Sequence, residues 1–249
     1  MIKVLDISKT FISKKKKIEA VKNFSFECYP GEIYGLLGPN GAGKTTTLRI
    51  ISTLIKPDKG SVYVNGIDNQ SQPDKVRSMI GFLTGEMKVS GNLSGREFLK
   101  FFGKLNHMYE EKIDQRIEML VEMLEMKDFI DRPPTKLSTG MKQKLSIAIS
   151  LIHDPQVIIF DEPTNGLDVF SAKVVTDFLK EMKKQGKTII ISTHIMSVVE
   201  KLCDRLGIIF KGQLVENSTI QDIVHKHALN DLEDVFFKYA KEFGVIENV

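Results

Sequence analysis

The residues best suited to chemistry form a glycine-rich loop near the start of the chain. Residues 38–45 read Gly-Pro-Asn-Gly-Ala-Gly-Lys-Thr and match the phosphate-binding pattern G-x-x-x-x-G-K-[ST]. Glycines let backbone N–H groups approach an anion, and the helix that follows adds the positive end of its dipole. We expect Lys44 to reach the β- and γ-phosphates of a nucleoside triphosphate and Thr45 to coordinate Mg²⁺. The predicted nucleotide-binding residues here are Gly38, Pro39, Asn40, Gly41, Ala42, Gly43, Lys44, Thr45 and Thr46.

Two carboxylates follow a second apolar run, at residues 157–162 (Val-Ile-Ile-Phe-Asp-Glu). Adjacent side chains on a strand point to opposite faces, so the pair is not expected to act as one unit. We expect Asp161 to reach the Mg²⁺ shell while Glu162 faces an attacking water, as base or orienter. Taken alone, the pair is modest support for this chemistry, because many strands end in a solvated acidic loop.

Strand-sized and helix-sized apolar patterns alternate around these motifs. Runs without polar alternation, typical of strands covered on both faces, fall at 33–37, 80–83, 157–160, 189–191 and 208–210. Helical stripes lie between them, and we expect all three to be core: Leu48, Ile51 and Ile55; Phe98, Phe101, Phe102 and Leu105; and Ile113, Ile117, Leu120, Val121 and Leu124. Ser94 and Glu97 have capping-box spacing before the second stripe. The alternation predicts an α/β domain.

Composition excludes several classes of protein. The chain has 249 residues, of which 42% are hydrophobic and 27% charged, which excludes a mostly disordered polymer. A net charge of +3 is too small to argue for a nucleic-acid partner. The apolar runs are too short to span a membrane, and two cysteines make no disulfide framework. We expect a soluble intracellular protein in which the lysine run 14–17 is a solvated hairpin tip, although such a run could contact phosphates or an anionic membrane.

A third motif, Leu-Ser-Thr-Gly-Met-Lys-Gln at 137–143, stands between the loop and the carboxylates. Together with the loop and residues 161–168 (Asp-Glu-Pro-Thr-Asn-Gly-Leu-Asp), it closely resembles the ATP-binding subunit of ABC transporters over nearly the whole chain. The motif stands where the family carries its signature, usually Leu-Ser-Gly-Gly-Gln. Ser138 and Gly140 at a helix N-terminus would form a second anion site. The resemblance implies that two copies pair about a two-fold axis, each signature closing on the other's γ-phosphate; alone, the segment would be a merely capped helix.

The resemblance implies roles for further residues. Phe11 sits where an aromatic side chain stacks on adenine, although it could equally be a hydrophobic strand residue. Residues 165–168 correspond to the loop that links the two sites of the dimer. His194 matches the family's switch histidine, which would donate a hydrogen bond to the γ-phosphate even when neutral. Lys44, Glu162 and His194 are therefore the expected catalytic residues of an ATPase that uses ATP and Mg²⁺.

The sequence departs from the family pattern after the strand at 80–83. A glutamine that coordinates Mg²⁺ usually ends this strand, but alignment places Gly85 there, followed by Glu86. We expect water in that coordination position, or Glu86 reaching in, and coupling to the membrane partner through the backbone of residues 84–93. Both Gly85 and the sequence of the signature resemble the NatA-type branch of the family, which consists of bacterial ATPases associated with sodium export.

The fold that the resemblance implies is a P-loop NTPase core with a mainly parallel sheet, an N-terminal antiparallel β subdomain and a helical signature subdomain. We expect one domain over 1–249: an ATP-binding core (1–85 and 153–220), a helical subdomain (86–152) and a C-terminal helical segment (221–249) with a docked helix at 232–240. The expected partners are a second copy and separate transmembrane permease subunits, with the chain on the inner face of the cell membrane. A soluble ABC ATPase with a non-transport role, such as iron–sulfur cluster assembly, would share every nucleotide motif and stays open.

Overall fold

The computed structural model describes residues 1–13, 16–85 and 89–246. Its strands are β1 (Ile2–Ser13), β2 (Lys16–Cys28), β3 (Ile33–Leu37), β4 (Lys59–Val64), β5 (Ile67–Asp68), β6 (Ile80–Leu83), β7 (Val157–Asp161), β8 (Thr188–Thr193), β9 (Arg205–Phe210) and β10 (Gln213–Ser218). Its α-helices are α1 (Lys44–Ile51), α2 (Pro73–Ser78), α3 (Gly95–Leu105), α4 (Glu110–Met123), α5 (Thr139–Leu151), α6 (Val169–Lys184), α7 (Met196–Leu202), α8 (Ile220–His227) and α9 (Leu232–Glu242).

The strands form two sheets of different kinds. One is antiparallel, in the order β2-β1-β4-β5, and the other has the order β10-β9-β3-β8-β7-β6. In the second sheet every neighbouring pair is parallel except β9 and β10. The expected fold class, a mainly parallel sheet with an N-terminal antiparallel subdomain, is therefore confirmed. Residues 14 and 15 of the lysine run lie outside the described residues.

The middle of the parallel sheet is buried on both faces. Every residue of β3, β7 and β8 is buried. This explains why their sequences show no polar alternation, since helices cover both sides of a parallel sheet. The predicted strands at these positions are confirmed.

Three α-helices and no strand occupy residues 93–152, as the sequence predicts. The stripe on α4 is buried, and the chain that enters α3 forms the predicted capping box. There the Ser94 side chain accepts from the Glu97 N–H, and the Glu97 carboxylate accepts from the Ser94 N–H at 2.7 Å. Both bonds satisfy N–H groups that the first turn of a helix leaves unpaired.

The predicted core face of α3 is wrong at two of its four positions, because Phe98 and Phe102 pack, partly buried, against the core while Phe101 and Leu105 do not. Phe101 and Leu105 are 55% and 60% exposed, whereas the buried positions of α3 are Gly95, Leu99 and Gly103. A Cβ on Gly103 would lie 2.7 Å from Cγ1 of Ile113 on α4. The helix thus packs through its small residues, which let its backbone approach α4 closely, and this turns part of the aromatic stripe outward.

The first predicted stripe is wrong at one position. Helix α1 ends at Ile51, and Thr53 takes a left-handed backbone (φ 65°), so Ile55 does not continue the helical face. Ile55 nevertheless packs, partly buried, against the same core as Leu48 and Ile51.

The C-terminal helix docks on the parallel sheet, as predicted. Val235 and Ala240 of α9 are buried, and the ring of Phe236 lies 5.0 Å from that of Phe210 at the end of β9. Among the described residues, no helix is long and apolar enough to cross a membrane.

The packing of α3 generates a prediction that separates its two faces. Gly103→Val should lower the free energy of unfolding by about 1–3 kcal/mol, because its side chain must displace Ile113. Phe101→Ala on the same helix should change it by less than about 0.5 kcal/mol, because Phe101 is exposed. Urea denaturation of both variants checks this, and a larger loss for Phe101→Ala than for Gly103→Val would contradict the assignment of the faces.

Candidate nucleotide-binding site

The predicted chemical residues converge at the carboxyl ends of three adjacent strands. The glycine-rich loop follows β3, Asp161 ends β7, and His194 follows β8. Register pairs Leu37 with Thr193 and Asp161 with Ser192, which brings the three strand ends level. Beside them lies a cavity of about 680 Å³, lined by residues 40–46 and Glu162. Ligands commonly bind at this edge of an open α/β sheet.

The loop between β3 and α1 is shaped by glycine. Gly41 and Gly43 have φ angles of 78° and 111°, in the region that residues with a Cβ avoid. A Cβ on Gly43 would also collide with the carbonyl oxygen of Ala20 on β2. Helix α1 begins directly after Gly43 without a side-chain cap, so its first N–H groups are available to an anion.

Lys44 is held in place by its own loop. Its ammonium donates to the carbonyl oxygens of Gly38 at 2.6 Å and Pro39 at 3.2 Å, and lies 3.8 Å from Glu162 Oε1. The side chain is 5% exposed. Burial lowers the pKa of Lys44, and the carboxylates of Glu162 and Asp161 oppose this. The structure thus positions a cation beside the loop's N–H groups.

Asp161 joins the loop to the neighbouring strand. Its carboxylate accepts from Thr45 Oγ1 at 2.7 Å and from the Ser192 hydroxyl of β8. A hydroxyl and a carboxylate in contact are the hard oxygen ligands that Mg²⁺ prefers beside phosphates. The residues present therefore fit that ion.

Glu162 has a separate set of partners. Its N–H still donates to the Ser192 carbonyl of β8 at 3.1 Å, but its backbone is left-handed (φ 51°), which ends the strand at Asp161. Oε1 lies 2.9 Å from His194 Nδ1, and Oε2 accepts from Asn165 Nδ2 at 2.9 Å. The two carboxylates diverge as predicted, although the left-handed backbone, rather than the pleat of a strand, separates them.

The signature segment lies elsewhere on the surface. Ser138 is exposed and caps α5, accepting from the Met141 N–H at 3.3 Å. A Cβ on Gly140 would lie 2.5 Å from Ser171 Oγ on α6, so glycine permits close packing of α5 on α6. Neither Ser138 nor Gly140 lines the cavity beside the glycine-rich loop. Within one chain, the structure does not bring the two predicted anion sites together.

The loop before α6 contacts this segment. Asp168 caps α6 by accepting from the N–H groups of Phe170 at 3.0 Å and Ser171 at 2.9 Å. Hydrogen bonds from the Ser171 backbone and hydroxyl lower the pKa of Asp168, which keeps the cap ionised. Asn165 donates to Glu162, and a Cβ built on Gly140 would lie 3.5 Å from Asp168 Oδ2, so the loop 165–168 lies between Glu162 and the signature helix.

Phe11 occupies the edge of the site. Its side chain is 38% exposed, and its partner across the β1–β2 hairpin is Ile18, which lines the cavity. Directly paired residues share a face of the sheet, so Phe11 faces the same side as Ile18. The sequence did not reveal Ile18, because an isoleucine in a strand has no signal of its own.

The substituted position after β6 is open. Gly85 is exposed, and a Cβ built there would have no atom within 4 Å. Glu86, the expected substitute ligand, lies outside the described residues. Sequence reasoning also missed Ser192, although a polar residue in the apolar run before His194 was an available signal.

The sheet order and the loop together define a P-loop ATPase. A family model described as ABC transporter matches residues 21–165. The chain belongs to this family, as an ATP-binding subunit.

Similar proteins agree with this assignment. The ABC transporter ATP-binding protein NatA of Bacillus subtilis is 39% identical, over 95% of this chain and 96% of that protein. An uncharacterized ABC transporter ATP-binding protein of Methanocaldococcus jannaschii is 40% identical, over 91% of this chain and 80% of that one.

Solved structures agree as well. An ATP-binding subunit of an ABC transporter superposes with a TM-score of 0.87 at 26% identity, covering 97% of this chain and all of that one. A dimeric ATP-binding cassette in a post-hydrolysis state with ADP and Pi has a TM-score of 0.80 at 28% identity, covering 88% of this chain and 98% of that one.

Proposed function

We propose that two copies of this chain enclose two ATP molecules and drive transmembrane permease subunits. The observation that carries this proposal is the position of Ser138, exposed at a helix N-terminus and outside the cavity of its own chain. Such a site is suited to an anion, and a phosphate held by a second copy is an anion of the right kind. The dimeric relatives of known structure support this arrangement.

The residues of the site divide the work in this proposal. Lys44 and the loop N–H groups bind the β- and γ-phosphates. Thr45 and Asp161 would hold Mg²⁺, which supplies positive charge against the phosphates when bound. Glu162 orients or activates the water, and Phe11 stacks on the adenine.

His194 and Glu162 are paired with each other in the structure. A neutral imidazole has one N–H, and at Nδ1 that hydrogen is directed at Glu162 Oε1, 2.9 Å away. His194 therefore donates to a γ-phosphate either by gaining a proton or by releasing Glu162. We infer that ATP draws His194 away from Glu162, which frees the carboxylate for water.

Closure of the dimer follows from differential affinity. ATP shifts the open form to the closed one only because it binds the closed form more tightly, through the signature of the second copy. Hydrolysis removes this bridge and allows reopening.

The surface that we propose for the permease subunits lies between the helical subdomain and the parallel sheet. It includes the outward side chains Leu54, Phe101 and Leu105, which are 55–60% exposed. A neighbouring groove of about 270 Å³ runs between Phe82 and Phe102. Arg77 and Asn106 line this groove beside the two aromatic residues, so it offers polar as well as apolar contacts. The loop 84–93 would carry nucleotide state to this surface.

The transported substrate that we propose is sodium, moved outward, with the chain on the cytoplasmic face of the membrane. Support comes from the 39% sequence identity with NatA over nearly the whole of both chains. The signature sequence and Gly85 also resemble that branch.

Lys44→Ala should abolish tight ATP binding, because it removes a buried ammonium from the phosphate cradle. We expect a loss of at least about tenfold in affinity by calorimetry, the scale of one charged hydrogen bond. Lys127→Ala, which removes a 70% exposed lysine of the helical region, is the matched control and should bind like wild type. Unchanged affinity for Lys44→Ala would refute the phosphate-cradle assignment.

Glu162→Gln tests the proposed catalysis and dimer together. The amide keeps the size of the side chain but cannot act as a base, so turnover should fall by about 10²–10⁴ while ATP binding persists. The variant should then accumulate as an ATP-dependent dimer on gel filtration. Normal hydrolysis by this variant would show that Glu162 does not activate the water.

The same background tests Ser138. Adding Ser138→Glu places an acid where the γ-phosphate of the second copy is proposed to bind, so the ATP-dependent dimer should disappear. ATP binding by the single chain should be unchanged, because Ser138 does not line its cavity. A dimer that survives this change would rule out the proposed sandwich.

Phe101→Ser with Leu105→Ser tests the docking surface. Co-purification with permease subunits from detergent-solubilised membranes should be lost while ATP binding is kept. Phe237→Ser, an exposed aromatic on α9, is the control and should co-purify like wild type. If no membrane protein co-purifies with the wild-type chain, the transport proposal fails and the soluble ATPase alternative is favoured.

A further inference from the structure

The turn between β9 and β10 brings a lysine to the nucleotide cavity that the mechanism above does not use. Lys211 lines the same cavity as the glycine-rich loop and Glu162. Three other lysines line it: Lys44 lies 3.8 Å from Glu162, Lys22 lies 3.5 Å from Glu19, and the third is Lys17 on the β1–β2 hairpin. Within residues 1–13, 16–85 and 89–246, Lys211 forms no ion pair. Its charge is therefore available to a ligand.

The backbone of the turn is fixed. Lys211 and Gly212 have φ angles of 44° and 78°, the left-handed pair that suits a tight two-residue hairpin turn. The Gly212 N–H donates to the Ala42 carbonyl in the phosphate loop at 2.9 Å. The Gly212 carbonyl accepts from the Lys22 N–H on β2 at 2.7 Å. The turn is thus bonded to both walls of the cavity.

The strand that leads into the turn is also anchored. Phe210, the residue before Lys211, is fully buried, with the rings of Phe236 and Phe243 at 5.0 and 5.6 Å. Ring contacts of this kind hold the end of β9 in one position. Only the side chain of Lys211 remains to adapt to a ligand.

The position of the turn selects the part of the nucleotide that it meets. Lys44 and Glu162 line one part of the cavity and Ile18 another, and the proposed placement of ATP puts the γ-phosphate at the first and the base at the second. Gly212 abuts β2 next to Ile18, since a Cβ on it would lie 2.9 Å from the Glu19 carbonyl and 3.0 Å from the Ala20 carbonyl. Lys211 therefore stands on the base side of the phosphate cradle, where the proposed placement of ATP puts the α-phosphate.

We propose that Lys211 is a nucleotide-binding residue whose ammonium contacts the α-phosphate. This inference rests on the proposed placement of ATP along the cavity. The α-phosphate is common to ATP and ADP, so Lys211 stabilises substrate and product alike. It sets the affinity for ADP, and thereby the release of product, without taking part in bond cleavage.

Lys211→Asn is the direct test, because asparagine tolerates the left-handed backbone that this position requires. Loss of one partly exposed cation should weaken ATP and ADP binding equally, each by roughly fivefold in calorimetry. The difference from wild type should shrink at high salt, because the lost interaction is screened. Lys211→Arg should bind both nucleotides like wild type, as should the control Lys127→Asn.

Three results would overturn the proposal. The first is unchanged ATP and ADP affinity in Lys211→Asn. The second is a loss for ATP alone, which would place the contact at the γ-phosphate. The third is an equal, salt-independent loss in the asparagine and arginine variants, which would show that the residue only shapes the turn. Failure of wild type itself to bind either nucleotide would instead refute the proposed function.

Discussion

The arrangement of the site depends on two hydrogen bonds to one carboxylate. Asp161 accepts one from the Thr45 hydroxyl and the other from the Ser192 hydroxyl. It connects the loop after β3, the end of β7 and the end of β8. The buried parallel strands bring these three ends level, and the carboxylate fixes them at hydrogen-bond distance. The ion pair between Lys44 and Glu162, at 3.8 Å, is a second and longer polar link between the same elements.

The helical region follows a different rule, in which small residues decide the contacts. Gly103 lets α3 approach α4, and Gly140 lets α5 approach α6, because a Cβ at either position would meet a side chain of the facing helix. Close backbone approach leaves Phe101 and Leu105 of α3 at the surface. Large apolar side chains can therefore lie on the outer face of a helix.

Much of the fold and of the candidate site could be predicted from the sequence, because each motif requires particular residue types at a fixed spacing. The glycine-rich loop, the strand ends and the capping box before α3 each have a signal within a few residues. The exposure of Phe101 has no such local signal, because periodicity shows that apolar residues share a face of the helix but not what packs against that face. Lys211 was invisible for a similar reason: only the folded sheet brings the β9–β10 turn beside the phosphate loop. The roles of the individual site residues stay predictions.

The close packing of Gly140 against Ser171 has a consequence for how the site is connected. Helices α5 and α6 approach each other closely at Gly140, and Asp168 caps α6 at the same point. The signature therefore contacts the 165–168 loop, whose Asn165 donates to Glu162. In the proposed pair of molecules, this contact would connect the signature of each subunit to the carboxylate in its own nucleotide cavity.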